Sequence, residues 1–216
     1  PYSIKQWDRE AFASDPYGRN FLGTPPQGRA DYAFIQHILK SMDPRSGRCA
    51  ILLPHGVLFR NEESEMRERL VRSDLVEAVI GLGANLFFNS PMEACILICR
   101  SEKAPNRSKK ILFVDASAEV TRKNAQSYLE PQHIKRIVDA YRSDEDIEGF
   151  SSHASFSELE DNAFSLSIPL YVKPANDENA DDRSIEETVE SWRAASTEAA
   201  SLLDNIAAKL HENDGE

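Results

Sequence analysis

The chain has 216 residues, 41% of them apolar, enough for one domain with a sizeable core plus an appendage. No apolar run approaches the ~18 residues of a membrane helix, and no charged-then-apolar leader is present, so the sequence predicts a cytoplasmic protein with no membrane partner. The net charge of −11 is uneven: residues 175–216 hold 12 acidic and 3 basic side chains, which leaves residues 1–174 at −2, and because an acidic tail repels phosphate, any nucleic acid must meet the body.

Residues 1–29 are rich in Gly, Pro, Asp and aromatics and lack periodicity. They read as a long ordered loop, a feature uncommon in compact domains unless it is functional. From Ala30 the pattern turns helical, with Ala33, Phe34, Ile38 and Met42 on one stripe and Tyr32 and Leu39 beside it. "DPRSG" (43–47) is a stop and turn. "RCAILLP" (48–54) is a short apolar run, the signature of a buried parallel strand. "SEMRERLVRS" (64–73) predicts a helix with Met66, Leu70 and Val71 inward, and the glutamates near residue 62 read as its solvated start. "LVEAVIGL" (75–82) and "EACILICR" (93–100) are strands bracketing "GANLFFNSP". This pair, joined by a short loop, suggests an antiparallel addition at the sheet edge. "KKILFVDAS" (109–117) is a further strand, and "EPQHIKRIVDAYRS" (130–143) a helix with Ile134, Ile137, Val138 and Tyr141 on one side. The succession predicts the second half of a doubly wound α/β sheet.

Residues 175–183 continue a polar, charged linker that begins at Pro174. Ser184 and Glu187 then form a capping box, opening a helix over 184–211. Its narrow stripe runs Ile185, Val189, Trp192, Ala195, Ala199, Leu202, Ile206, Leu210, and suits packing against a partner or sister helix.

Several chemistries find no support. "GLG" (81–83) is followed by a loop rather than a helix, so a dinucleotide would lack its helix N-terminus. The five histidines show no metal-ligand spacing, so no metal is expected. No Gly-x-Ser-x-Gly elbow occurs. The cysteines number three, and Cys95 and Cys99 lie ~13 Å apart along one strand, too far for a disulfide. They read as small buried hydrophobes in a reducing compartment. Phe87 and Phe88 stand in a loop just before a strand, where a ring either packs under the loop or stacks on a ligand.

The blocks "GTPPQGRADYAFIQHIL", "LLPHGVLFR", "DLVEAVIGLGANLFFNSPMEACILI", "FVDAS", "HIKRIVDAYRS" and "FSLSIPLYV" resemble, in order and spacing, the modification subunit of type I restriction–modification systems, an N6-adenine DNA methyltransferase. The likeness covers residues 1–174. It implies the later part of a Rossmann-like, S-adenosylmethionine-dependent methyltransferase sheet. Pro1 and Tyr2 would be the last two residues of the family's Asn-Pro-Pro-Tyr/Phe motif, and the S-adenosylmethionine motif falls upstream of Pro1. By the resemblance, Pro1 and Tyr2 are the catalytic residues, Tyr2 and Phe87 hold the flipped adenine, no cofactor-binding residue lies in this stretch, and the stretch alone is inactive. The implied partners are DNA, a specificity subunit and a restriction subunit, with the C-terminal helix serving assembly. His55 stands where the family often has Asn. Two alternatives stay open: a non-catalytic assembly module on the same fold, and an unrelated α/β reductase.

Overall fold

The computed structural model describes residues 4–87, 90–124 and 126–174, with 189, 190, 192, 193, 196 and 197. The chain divides into two compact units, Pro1–Ala175 and Asn176–Glu216. The first is a three-layer α/β body. Its elements are α1 (Arg9–Ala13), α2 (Asp31–Ser41), β1 (Arg48–Pro54), α3 (Ser64–Arg72), β2 (Val76–Leu82), β3 (Ala94–Arg100), β4 (Lys110–Ala116), β5 (Thr121–Lys123), β6 (Gln126–Tyr128), α4 (Pro131–Arg142), β7 (Ser151–Ser155) and α5 (Phe156–Asp161).

Five strands form one sheet in the order β1-β3-β2-β4-β7. β2 and β4 are parallel, while β3 runs antiparallel to both β1 and β2, and β7 antiparallel to β4. Thus β1, β2 and β4 share a direction. Every residue of β2 is buried, because both faces of the sheet are covered there. On one face Val79, Leu97 and Phe113 pack with Tyr32 and Ile35 of α2 and with Met66 and Leu70 of α3. On the other, Ala78, Ile80, Leu112 and Val114 pack with Ile137 and Ala140 of α4. The Phe113 ring stacks on Tyr171, centroids 4.1 Å apart, which ties the segment after α5 to the sheet.

Four expectations are corrected. β1 is not a parallel buried strand: its only partner among the described residues is antiparallel β3, and Ala50 and Leu52 are exposed. β3 is not an edge addition, since it lies between β1 and β2. A hairpin places β3 beside β2, but nothing local says what borders its far side. The stripe buried by α2 is Tyr32, Ile35, Gln36 and Leu39, and Phe34 is exposed. Polar anchors rotate the helix: Tyr32 Oη donates to the Val57 carbonyl at 3.2 Å, and Gln36 Oε1 accepts from Leu22 N–H at 2.6 Å. On α4, Ile134 is exposed, and Ala140 is buried with Ile137.

In the second unit, the six described positions between 189 and 197 are helical, and Trp192 is exposed. The expected linker, the Ser184 capping box and the rest of the 184–211 helix lie outside the described residues.

Candidate functional site

Because β1, β2 and β4 share a direction, Pro54, Leu82 and Ala116 end at the same border of the sheet. The crevice outside the carboxyl ends of such strands is where open α/β sheets bind ligands. A cavity of 190 Å³ opens there, lined by His55, Phe59, Glu93, Asp115, Ser117 and the Ser167–Pro169 segment, with Leu58 at its floor. His55 Nδ1 is 3.7 Å from Glu93 Oε2, an ion pair when the ring is protonated. His55 Nε2 is buried and meets no hydrogen-bond partner among the described residues. Gly81 makes room for Ile168 of the wall: a Cβ at that position would sit 2.6 Å from Ile168 Cδ1, while His55 Nε2 would be in ordinary contact at 3.6 Å. Asp115 Oδ1 accepts the Ser117 N–H at 3.0 Å, fixing the turn after β4.

A buried polar network holds the His55 turn in place. The turn passes over Arg60, whose guanidinium fills the space where a Gly56 side chain would stand. Arg60 Nη1 donates to Asp31 Oδ2 at 3.0 Å and lies 3.5 Å from Glu63 Oε2. Arg67 Nη1 donates to the Arg60 carbonyl at 2.9 Å, and Arg67 Nε to the Phe164 carbonyl at 3.1 Å. The Leu166 N–H donates to the Leu58 carbonyl at 2.9 Å. Arg67 and the Phe164–Leu166 strap therefore brace the wall from behind.

Glu63 corrects another expectation. It is not part of a solvated helix start but fully buried, and neither of its oxygens has a hydrogen-bond partner among the described residues. Burial outweighs the attraction of Arg60, and neighbouring Asp31 opposes ionisation further, so the carboxyl is pushed up to about 7. Between the unfolded value of 4.5 and about 7 the folded state keeps a proton that the unfolded chain has released. Stability from this group is therefore greatest at low pH and declines as pH rises through that window. The Glu63→Gln variant should lose this dependence and exceed the parent at pH 8 by up to about 3 kcal/mol. Denaturant melts of both proteins at pH 5 and pH 8 measure it, and parallel pH curves would refute it.

The β2–β3 loop begins at Gly83 and returns at Glu93, which is part of the cavity wall. Phe87 sits within it, half-buried, bridged to Ser90, whose N–H donates to the Phe87 carbonyl at 3.2 Å. Asn85 takes a left-handed φ of 60°. Its carbonyl accepts the Ser127 N–H at 2.9 Å, tying the loop to the β5–β6 hairpin. Phe87 is not itself a lining residue of the cavity. Pro1, Tyr2, Phe88 and Asn89 lie outside the described residues, so of the expected site residues the structure places Phe87 alone. Sequence reasoning missed Glu93, Asp115 and Ser117. Asp115 had a signal, since a carboxylate ending the apolar run "ILFV" marks a strand's carboxyl end. Ser167–Pro169 lay within the block "FSLSIPLYV", but no residue chemistry there marked a site.

Among the described residues no three His, Cys, Asp or Glu side chains gather as a metal site, and no helix is long and apolar enough to cross a membrane.

Known proteins supply the family. The chain is 30% identical, over 95% of its length, to the type I restriction enzyme MjaVII methylase subunit of Methanocaldococcus jannaschii, and spans 37% of that protein. It is 31% identical, over 82% of its length, to the HindI methylase subunit of Haemophilus influenzae, and spans 41% of it. Among solved structures it matches the methyltransferase subunit of a type I restriction–modification system from Streptococcus thermophilus, with 39% identity and a TM-score of 0.73, covering 80% of this chain and 36% of that one. The chain thus spans about two fifths of these relatives' lengths. A family model described as N-6 DNA methylase matches residues 1–180, and the chain belongs to that family.

Proposed function

We propose that this chain contributes the base-binding side of an adenine-N6 DNA methyltransferase, the modification subunit of a type I restriction–modification system. The observation that carries the reading is the Phe87 loop at the carboxyl end of the sheet in a chain of this family. The N6 amino group of adenine is a poor nucleophile, because its lone pair is delocalised into the ring. The base must leave the duplex to react, at a cost of a few kcal/mol. A carbonyl at Pro1 accepts a hydrogen bond from the amino group and localises the lone pair. The Tyr2 ring stacks on the base from one side and favours the positive charge that develops on N6. Phe87 closes from the other side. No protein nucleophile takes part.

S-adenosylmethionine supplies the methyl group in this reading. The described residues do not fit it: the 190 Å³ cavity is smaller than the ~300–1,000 Å³ of small-molecule sites. No step is therefore routed through it. Choice of DNA sequence falls to a specificity subunit, beside a restriction subunit. The C-terminal segment serves assembly with the specificity subunit, with exposed Trp192 as an anchor.

The test is methyl transfer from labelled S-adenosylmethionine to duplex DNA by the protein in its native assembly, followed by digestion to nucleosides. N6-methyladenine is the expected product. Label in cytosine alone, or none in DNA, would overturn the reading.

A further inference from the structure

We infer that the β5–β6 hairpin is a contact arm for the sugar–phosphate backbone of duplex DNA beside the extruded base. The inference rests on the DNA-methylase reading and assigns it a second contact surface.

The hairpin rises from the turn after β4, at the same border of the sheet as the cavity. Its register pairs Thr121 with Tyr128, Arg122 with Ser127 and Lys123 with Gln126. Paired and alternate residues share a face, so Thr121, Lys123, Gln126 and Tyr128 lie on one side and Arg122 and Ser127 on the other. Ser127 is buried, and its N–H is bonded to the Asn85 carbonyl. That bond fixes the hairpin to the loop that carries Phe87. Val120 and Ser117 reinforce the contact, lying where a Gly83 side chain would stand.

The opposite face is open and chemically suited to nucleic acid. Lys123 and Tyr128 are both exposed, with the ammonium 6.0 Å from the ring centroid. Lys123 makes a long 3.6 Å ion pair with Glu130, whose carboxylate already accepts from Gln132 at 2.7 Å. Arg122 projects on the Ser127 side of the hairpin, is exposed there, and makes no ion pair among the described residues. Residues 1–174 carry −2 overall, so bulk charge does not draw DNA to this body. A short arm with two exposed cations, Lys123 on the open face and Arg122 on the other, beside the base-binding loop supplies locally what the net charge withholds. Phosphate contacts position a protein on the duplex without reading sequence, and sequence is not read here. A cation next to the extruded nucleotide also meets the phosphates whose geometry changes most when the base swings out.

The experiment uses the native assembly and duplexes with and without its methylation site, titrated by fluorescence anisotropy from 50 to 200 mM salt. For Arg122→Ala/Lys123→Ala, two lost phosphate contacts should flatten the slope of log K against log salt by about 2. Affinity should fall by about tenfold or more, equally for both duplexes. Arg122→Lys/Lys123→Arg keeps the charge and should keep the parent slope. An unchanged slope and affinity in the double alanine variant, with adenine methylation intact in the parent, overturns the arm alone. A parent assembly that neither binds duplex DNA nor methylates adenine overturns the arm together with the reading beneath it. A loss confined to the site-bearing duplex would assign the hairpin to base reading and also overturn the proposal.

Discussion

Arg67→Ala should destabilise the α/β body by about 3–5 kcal/mol, the scale of breaking a buried charge network by removing one member. Arg67 is buried, and its guanidinium serves the carbonyls of Arg60 and Phe164. Truncation leaves both carbonyls without that donor. It also leaves buried Glu63 and Asp31 to share Arg60 as their nearest cation. For a body of this size the loss corresponds to a melting temperature lower by about 10 °C. Arg67→Met separates charge from packing, because it refills the volume and restores no donor. It should recover only a minor part of the stability. At pH 8, where Glu63 is ionised, Arg67→Met combined with Glu63→Leu removes a charge of each sign and should recover more than either change alone. Denaturant unfolding of the set measures all three, and a loss below about 1 kcal/mol for Arg67→Ala would refute the role given to the network.

Phe87→Ala should lower kcat/KM for adenine methylation in the native assembly by about 10- to 100-fold, the equivalent of ~1–3 kcal/mol of base stacking. Its melting temperature should barely move. Phe87 is half-buried on a loop, not in the sheet core where Phe113 lies fully enclosed. A ring that only packed would cost ~3–5 kcal/mol of stability when truncated. Phe87→Tyr preserves a stacking face and should retain most activity. A large fall in melting temperature with normal specific activity would remove Phe87 from the base-binding site.

The parts of the fold legible in sequence were those decided by local periodicity. Leu70 and Val71 on α3 and the run Ala78–Leu82 of β2 point where their spacing says they should. β7 was invisible, because "SSHAS" carries no apolar run, and only its pairing with β4 makes it a strand. The burial of Glu63 was equally hidden. A glutamate before a helix is ordinarily solvated, and what encloses this one includes Asp31 and Arg60, distant in sequence or turned inward by the fold. The cavity shows the same division. His55 and Phe87 were singled out as residues, whereas Ser167–Pro169, though inside the block "FSLSIPLYV", reaches the wall through the hydrogen bond from Leu166 N–H to the Leu58 carbonyl, a contact between segments far apart in sequence.

The outer edge of β1 carries a consequence for the sheet. Among the described residues no strand pairs with it, so its backbone N–H and C=O groups stand ready for a further strand. Because β1 shares its direction with β2 and β4, a strand added there in the same sense would lengthen the row of carboxyl ends that borders the His55 cavity.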